Sequence, residues 1–317
     1  MDYMVELLTN MQKSKPELAR LFDSILQLYQ KTSMPKMDLD TRFLFYPPGH
    51  YYSPLPSSQE YERIKDRIYG CQHPLAGIDL QEEEQLLLFY RLVKWYSDMP
   101  FTERPQEGMR YYFDNEFFLY ADGFWLYAMM REYKPKRIIE IGSGFSSSLM
   151  LDMAERYFHN DIQFTFIEPD PKRLYLLLRP GEKRQISLFE QPVQEVPLQL
   201  FDSLKAGDFL FIDSSHVGKF GSDVLYELHT ILPRLKPGVL IHFHDIFYPF
   251  EYPRAWLEQG RAWNECYFLH TFLQYNSTFI IKLFGNYLGQ KHSELLAKAA
   301  PLCLKNIGGS LWLEKVI

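Results

Sequence analysis

The residues able to do chemistry in this chain sit at the ends of short apolar runs. The first is Arg137-Ile-Ile-Glu140-Ile-Gly142-Ser143-Gly144-Phe-Ser146-Ser-Ser-Leu, a buried strand that turns on two glycines into serines able to cap a helix. Such a loop brings backbone N–H groups and a helix N-terminus against a ligand. Its spacing is E-x-G-x-G-x-S, not the G-x-G-x-x-G of a dinucleotide fold. Glu140, two residues before the first glycine, is placed to meet a cationic amine rather than a pyrophosphate. Alone, the loop also fits a tight strand–helix turn in any α/β protein. The next run, Phe164-Thr-Phe-Ile-Glu168, ends in an acid 24 residues after Gly144, at about the distance where a carboxylate accepts both ribose hydroxyls of an adenosine ligand. Two further pairs follow later runs: Asp213 and His216 after FLFI, and His244-Asp245 after VLIHF. Imidazole beside carboxylate suits either general base chemistry near neutrality or metal binding.

These residues need a scaffold, and the chain's texture supplies one. From about residue 112, β-rich runs at 137–141, 163–168, 185–190, 208–213, 239–244, 278–284 and 311–317 alternate with stretches long enough for helices at 146–158, 171–179, 194–204, 219–234 and 261–275. Strand–helix alternation implies right-handed crossovers and a mostly parallel sheet. The last two runs lack a full crossover between them, although 292–300 suits a short helix, so they are expected to pair antiparallel. Ahead of this lies a region, residues 1–111, that reads as a helical and loop cap. Helical periodicity marks 2–12 and 17–31, prolines and Gly49 mark a loop over 34–58, and a helix opened by acids 82–84 is expected over 80–98. The expected domains are therefore 1–111 and 112–317.

Composition narrows the function classes. With 34 Lys+Arg against 40 Asp+Glu the chain carries a net charge of −6, which argues against non-specific nucleic-acid binding. Three separated cysteines, Cys71, Cys266 and Cys303, form neither a disulfide framework nor a CxxC metal knuckle and suit a reducing, cytoplasmic setting. The N-terminus has no signal-peptide pattern, and no apolar stretch approaches the roughly 20 residues of a membrane span. Aromatic residues make up 16%, concentrated over 41–126 and 241–285.

Taken together, EIGSGFSS at 140–147, FIEPDP at 166–171, FLFIDSSH at 209–216, LPRLKPGVLIHFHDI at 232–246 and the terminal SLWLEKVI resemble a class I S-adenosylmethionine-dependent methyltransferase. The resemblance is closest to the methyltransferase domain 24 group, related to macrocin- and catechol-type O-methyltransferases, and covers about two thirds of the chain. It implies a Rossmann-like α/β fold with a seven-stranded sheet, the last strand reversed, and the cofactor across the carboxyl ends of the strands. By match to the motif, Glu140, Gly142, Ser143 and Gly144 would hold the methionine moiety of S-adenosylmethionine and Glu168 the ribose; a residue within Glu190–Gln194 would lie near the adenine. Ser146 stands where many relatives carry a third glycine and is small enough to keep binding, while Asp213 is expected at the cofactor as well.

The expected activity is methyl transfer to a small molecule, more readily to oxygen than to nitrogen or carbon. Two alternatives remain at this point: a non-catalytic adenosine-ligand binder on the same fold, and an NAD-linked oxidoreductase. In metal-dependent relatives the positions of Asp213, His244 and Asp245 carry three oxygen ligands for magnesium; here His244 occupies the middle one, and imidazole suits softer divalent ions better. A metal-free site would instead use His216 or His244 as general base, oriented by Asp213 or Asp245. His242, two residues before His244, is expected to be a hydrogen-bonded core histidine. Phe247, Tyr248, Phe250, Tyr252 and Trp256 follow the His244-Asp245 pair, and with the Tyr51-Tyr52 loop and the run from Tyr111 to Tyr120 they are candidates to wall an acceptor, though most such rings belong to the core. Asn115 and Asp122 could reach cofactor or acceptor.

Overall fold

The computed structural model describes residues 44–70, 75–184 and 186–317. The helices expected over 2–12 and 17–31 and the residue Cys71 lie outside them. The chain divides into two compact units between Lys65 and Asp66. In the first unit, residues 44–57 form a loop in which the Tyr46 ring stacks on His50 at 4.3 Å, with Tyr51 and Tyr52 alongside. Helix α1 (Ser58–Gly70), which periodicity did not announce, begins there and runs past the division.

Residues 66–111 belong with the larger unit because their apolar faces are spent there. Helix α2 (Glu82–Val93) buries Leu88, Phe89 and Leu92, and its Gln85 Oε1 accepts the backbone N–H of Phe284 at 2.7 Å while Gln85 Nε2 donates to Leu80 O. Leaving those groups in solvent would expose three large side chains, each worth roughly 1.5–3 kcal/mol of burial.

The sheet has all seven expected strands: β1 (Arg137–Ile141), β2 (Gln163–Ile167), β3 (Ser187–Phe189), β4 (Phe209–Ile212), β5 (Leu240–Phe243), β6 (Phe279–Phe284) and β7 (Leu311–Lys315). Their spatial order is β3-β2-β1-β4-β5-β7-β6, parallel except that β7 runs antiparallel to both β5 and β6. The order reverses on either side of β1 and β4, so the carboxyl ends of those strands open a crevice. β4 and β5 are buried along their whole length, as their unbroken apolar runs require.

Helices cover both faces. Helix α3 (Tyr120–Tyr133) precedes β1, and every residue from Ala121 to Met130 is buried. Being apolar nearly all round, it shows no amphipathic stripe. α4 (Phe145–Tyr157) follows β1, α5 (Lys172–Leu177) follows β2, and α6 (Gln199–Asp202) follows β3. The β4–β5 crossover is α7 (Asp223–Tyr226), continued by a π turn over Glu227–Ile231. α8 (Arg254–Glu258) and α9 (Glu265–Leu273) lie between β5 and β6, and α10 (Gly285–Lys291) and α11 (Ser293–Ala299) between β6 and β7. Among the described residues no helix is long and apolar enough to cross a membrane.

His242 is the core histidine it was expected to be. Its ring stacks on Phe211 at 4.0 Å, its Nε2 meets Ser310 Oγ at 3.2 Å, and burial pushes its pKa well down, so it stays neutral.

Candidate functional site

The crevice at the strand ends holds a cavity of about 850 Å³. One side is the glycine loop. Gly142 has φ +81°, and a Cβ there would fall 1.8 Å from the carbonyl oxygen of Asp213, so β1 and β4 meet at this point only because the position carries no side chain. Asp213 N in turn donates to Ile141 O at 2.8 Å. Helix α4 then starts at once: Gly144 N donates to Ser147 Oγ at 3.0 Å, closing the first turn. The loop's other hydroxyl, Ser143 Oγ, is buried near Glu140, whose pKa it helps to lower.

Glu168, half-buried at the end of β2, fixes the loop from the side. Its Oε2 accepts Ser143 N at 3.0 Å and its Oε1 accepts Asp170 N at 2.8 Å. Gly142, Ser143, Gly144, Ser146, Glu168 and Asp213 all line the cavity, as expected of a cofactor set. Glu140 does not. It is fully buried behind the loop, where its carboxylate accepts the hydroxyls of Ser146, at 2.5 Å, and Ser147. Burial raises its pKa to about 8 against the pull of those two hydroxyls. In this structure Glu140 therefore holds the loop together rather than facing a ligand. A second, smaller hollow of about 440 Å³ continues past Glu168 and Asp213 and is lined by Pro192, Val193 and Gln194, within the segment expected near the adenine.

The opposite side gathers the expected catalytic group. Asp213, His216, His244 and Asp245 all line the same cavity. His216 Nε2 lies 3.5 Å from Asp213 Oδ1 and 3.6 Å from Asp245 Oδ2; His244 Nε2 lies 3.4 Å from Asp245 Oδ1. His216 and Asp245 both adopt left-handed backbone, φ +61° and +59°, a strain typical of functional turns. The hydrogen bond that orients His216 comes neither from Asp213 nor from Asp245. Glu265, at the start of α9, meets its Nδ1 at 2.8 Å. Behind it lies fully buried Glu227, whose Oε2 accepts the Ser214 hydroxyl at 3.2 Å. Burial, then the nearby charge of Glu265, pushes the Glu227 pKa well up, so Glu227 keeps its proton.

Burial alone would lower the pKa of both exposed-end histidines. For His216 the hydrogen bond and charge of Glu265, with Asp245 and Asp213, more than offset it and raise the value to about 9. For His244 the charges of Asp245, Asp213 and Asp122 do the same, again to about 9. Among the described residues no group of three or more His, Cys, Asp or Glu is arranged to hold a metal ion. A metal at Asp213, His244 and Asp245 is therefore not indicated.

Three further elements frame the site. Asp122 Oδ1 accepts Gly309 N at 3.0 Å and Ser310 Oγ at 2.6 Å, and Gly309 O accepts Ile246 N at 2.8 Å, so α3 pins the 308–310 loop against the Asp245 turn. Asn115 stays out of the cavity: its Oδ1 accepts the N–H groups of Phe117 and Phe118, presenting those rings to it. Of the aromatic run after β5, Phe247 and Trp256 line the cavity with Trp263, while Phe250 and Tyr252 are buried in the core. Two arginines that sequence reasoning missed line it too. Arg173 lies over the Phe117 ring at 3.5 Å beside Gly144, and Arg261 over Trp256 and Trp263. Arg173 lies two residues beyond the FIEPDP run at 166–171, so its place beyond Glu168 was the available signal, whereas nothing in the sequence around Arg261 marks it.

Residues 139–246 match the family model of a methyltransferase domain. An uncharacterised protein of Archaeoglobus fulgidus is 35% identical over 164 residues, covering 50% of this chain and 74% of that one. Among solved structures, an S-adenosylhomocysteine-bound methyltransferase of Podospora anserina overlaps with a TM-score of 0.40 at 17% identity, covering 84% of this chain and 99% of the other. The O-methyltransferase TomG of Streptomyces achromogenes, in complex with S-adenosylmethionine, overlaps at 0.37 with 16% identity, covering 81% and 98%. Residues 139–246 are thus a methyltransferase domain, and it spans the glycine loop, Glu168, Asp213, His216 and the His244-Asp245 turn. The match to a methyltransferase domain supports an enzyme and speaks against the NAD-linked alternative.

Proposed function

We propose that this enzyme transfers the methyl group to an oxygen of a small molecule in the cytoplasm. One observation carries the reading: a single cavity has the glycine loop and Glu168 on one side and the His216, His244, Asp245 and Asp213 group on the other. The net charge of −6 and the aromatic walls support a small acceptor over a nucleic acid, and Cys266 and Cys303, free thiols in the core, are at ease in a reducing compartment.

The residues fit the cofactor. The α4 N-terminus, the Ser143 hydroxyl and the backbone of Gly142 and Gly144 would take its methionine end, with Arg173 beside Gly144 for the carboxylate. Glu168 would accept from the ribose, and Pro192–Gln194 would flank the adenine. Glu140 acts as a positioning residue for the loop. When bound, the cofactor supplies an electrophilic methyl on a sulfonium that leaves as a neutral thioether. The protein's part is to aim the acceptor oxygen in line and to take its proton.

His216 is suited to that proton, with Glu265 holding its Nδ1 so that Nε2 faces the cavity. With a pKa raised to about 9, only the small neutral fraction is a base at neutral pH. A carboxylate partner favours the imidazolium, so removing one lowers the pKa. The groups facing this imidazole are Glu265, Asp213, Asp245 and Trp263, with Glu227 and His244 beyond them. Turnover of hydroxyl acceptors is therefore expected to rise from pH 6 toward pH 9. In Glu265→Gln the rising limb should move down by about one pH unit. The measurement is a pH profile of methyl transfer from radiolabelled S-adenosylmethionine over a panel of hydroxylated acceptors. A limb that falls with pH, or one left in place by Glu265→Gln, would count against His216 as the base.

A further inference from the structure

The wall of the cavity beyond His216 carries a cation with no counter-ion among the described residues. The Arg261 guanidinium carbon lies 4.4 Å from the Trp256 ring centroid and 5.0 Å from that of Trp263, and those two rings meet edge-on at 5.3 Å and 83°. Its backbone N–H donates to Trp256 O at 3.1 Å, and its Nε donates to Gln259 Oε1 at 3.1 Å. Among the described residues no carboxylate stands within ion-pair distance of it. Of the five guanidinium N–H groups, the four on the Nη nitrogens make no hydrogen bond among the described residues. Most surface arginines with acids nearby fold onto them; this one is held by stacking at the cavity wall, partly buried.

Trp263 also meets the His216 ring at 4.6 Å, so the same indole joins the arginine to the proposed base. The floor beside His216 is acidic, with Asp213, Asp245 and Asp122 lining it, and would repel an anion placed there. An acceptor that carries a negative charge fits in one orientation: reacting oxygen toward His216, ring or chain against Phe247, Trp256 and Trp263, and charge on Arg261. Arg173, the other unpaired guanidinium of the cavity, sits at the far side beside Gly144, where the cofactor's own carboxylate is expected.

We infer that Arg261, clamped by Trp256 and Trp263, is an anion subsite for the acceptor, and that the acceptor bears a carboxylate or phosphate group remote from the oxygen that is methylated. This rests on the proposed placement of the acceptor at His216. Both anions share the planar or tetrahedral oxygen set that a guanidinium fork takes in two parallel hydrogen bonds.

The test uses the full chain, with and without saturating S-adenosylhomocysteine, titrated with benzoate, phenyl phosphate and neutral benzamide and followed by tryptophan fluorescence. The wild type is expected to bind at least one of the two anionic probes about tenfold or more tighter than benzamide, and the preferred one shows which anion the acceptor carries. Arg261→Gln should abolish that ratio and Arg261→Lys keep part of it, with S-adenosylhomocysteine affinity unchanged in both. A ratio near one in the wild type, a ratio that survives Arg261→Gln, or no saturable binding of any probe would overturn the inference. If S-adenosylhomocysteine fails to bind while the anion ratio and its Arg261 dependence hold, the subsite stands and the cofactor placement fails. If it binds and the ratio is absent, the reverse is true.

Discussion

Gly142→Ala is expected to abolish cofactor binding and to cost stability on the order of 3–5 kcal/mol, since it combines left-handed strain with an overpacked core contact. The added methyl would sit 1.8 Å from Asp213 O, 2.7 Å from the same carbonyl's carbon, and on a backbone at φ +81°. Those atoms cannot step aside cheaply. Asp213 N is bonded to Ile141 O, and β1 and β4 are in register through Ile141 and Ile212. Relief needs either the loop to leave its conformation or the two central strands to part at their ends. Gly144→Ala is the matched control. Its backbone is extended, and its methyl would meet only Arg173 Cδ at 3.3 Å, part of a flexible side chain. Chemical denaturation with and without S-adenosylhomocysteine separates the two: Gly142→Ala should lose ligand-induced stabilisation, and Gly144→Ala should keep most of it. Equal behaviour of the two variants would show that the Gly142 turn is not what shapes the binding loop.

The largest purely structural effect is expected at Arg110. Its side chain is 3% exposed and binds Asp152 Oδ1 and Glu155 Oε1, each at 2.5 Å, and also Glu182. Asp152, with no exposure, further accepts the backbone N–H groups of Arg110 and Tyr111 at 2.8 and 2.9 Å. This network ties the segment entering α3 to α4, the helix that the glycine loop starts. Replacing a buried ion pair whole is often neutral, but removing one partner leaves a buried charge and typically costs about 3–5 kcal/mol. Arg110→Met should fall in that range by urea denaturation. Burial already pushes the Asp152 carboxyl up against the pull of those N–H groups and Arg110. Without Arg110 it rises further, and a carboxyl whose folded pKa is raised loses stability as pH increases through that value. The deficit should therefore be smaller at pH 5 than at pH 8, and Arg110→Met/Asp152→Asn should recover part of it. A loss under about 1 kcal/mol, or one independent of pH, would mean the network contributes little net stability.

The sheet was open to reading because its central strands are largely buried, β-branched or aromatic runs such as FLFI, bounded by turn residues. Helix α3 was not, for the opposite reason: YADGFWLYAMMREY is buried on almost every side, so no stripe sets it apart. The two halves of the site differ in the same way. Gly142 to Ser146 and Glu168 lie on adjacent strand ends within one local motif, so spacing alone places them. Glu265 is 49 residues from the His216 it orients, and Asp122 is 187 from the Gly309 it binds. Their pairing depends on how α9 and α3 dock, which no local pattern encodes. Glu140 was placed correctly along the chain, but its direction was set by Ser146 and Ser147, whose hydroxyls turned it inward. The aromatic excess after β5 divided as packing demanded, Phe250 and Tyr252 into the core and Phe247 and Trp256 onto the cavity.

The central claim is that the glycine loop and Glu168 hold S-adenosylmethionine in this cavity. Calorimetric titration of the wild type and of Glu168→Ala with S-adenosylhomocysteine tests it most directly. The wild type should bind one equivalent. Glu168→Ala should bind at least about tenfold more weakly, because a charge-assisted contact to the ribose and the brace on Ser143 N are lost together. Absence of binding to the wild type, or equal affinity in the two proteins, would contradict it.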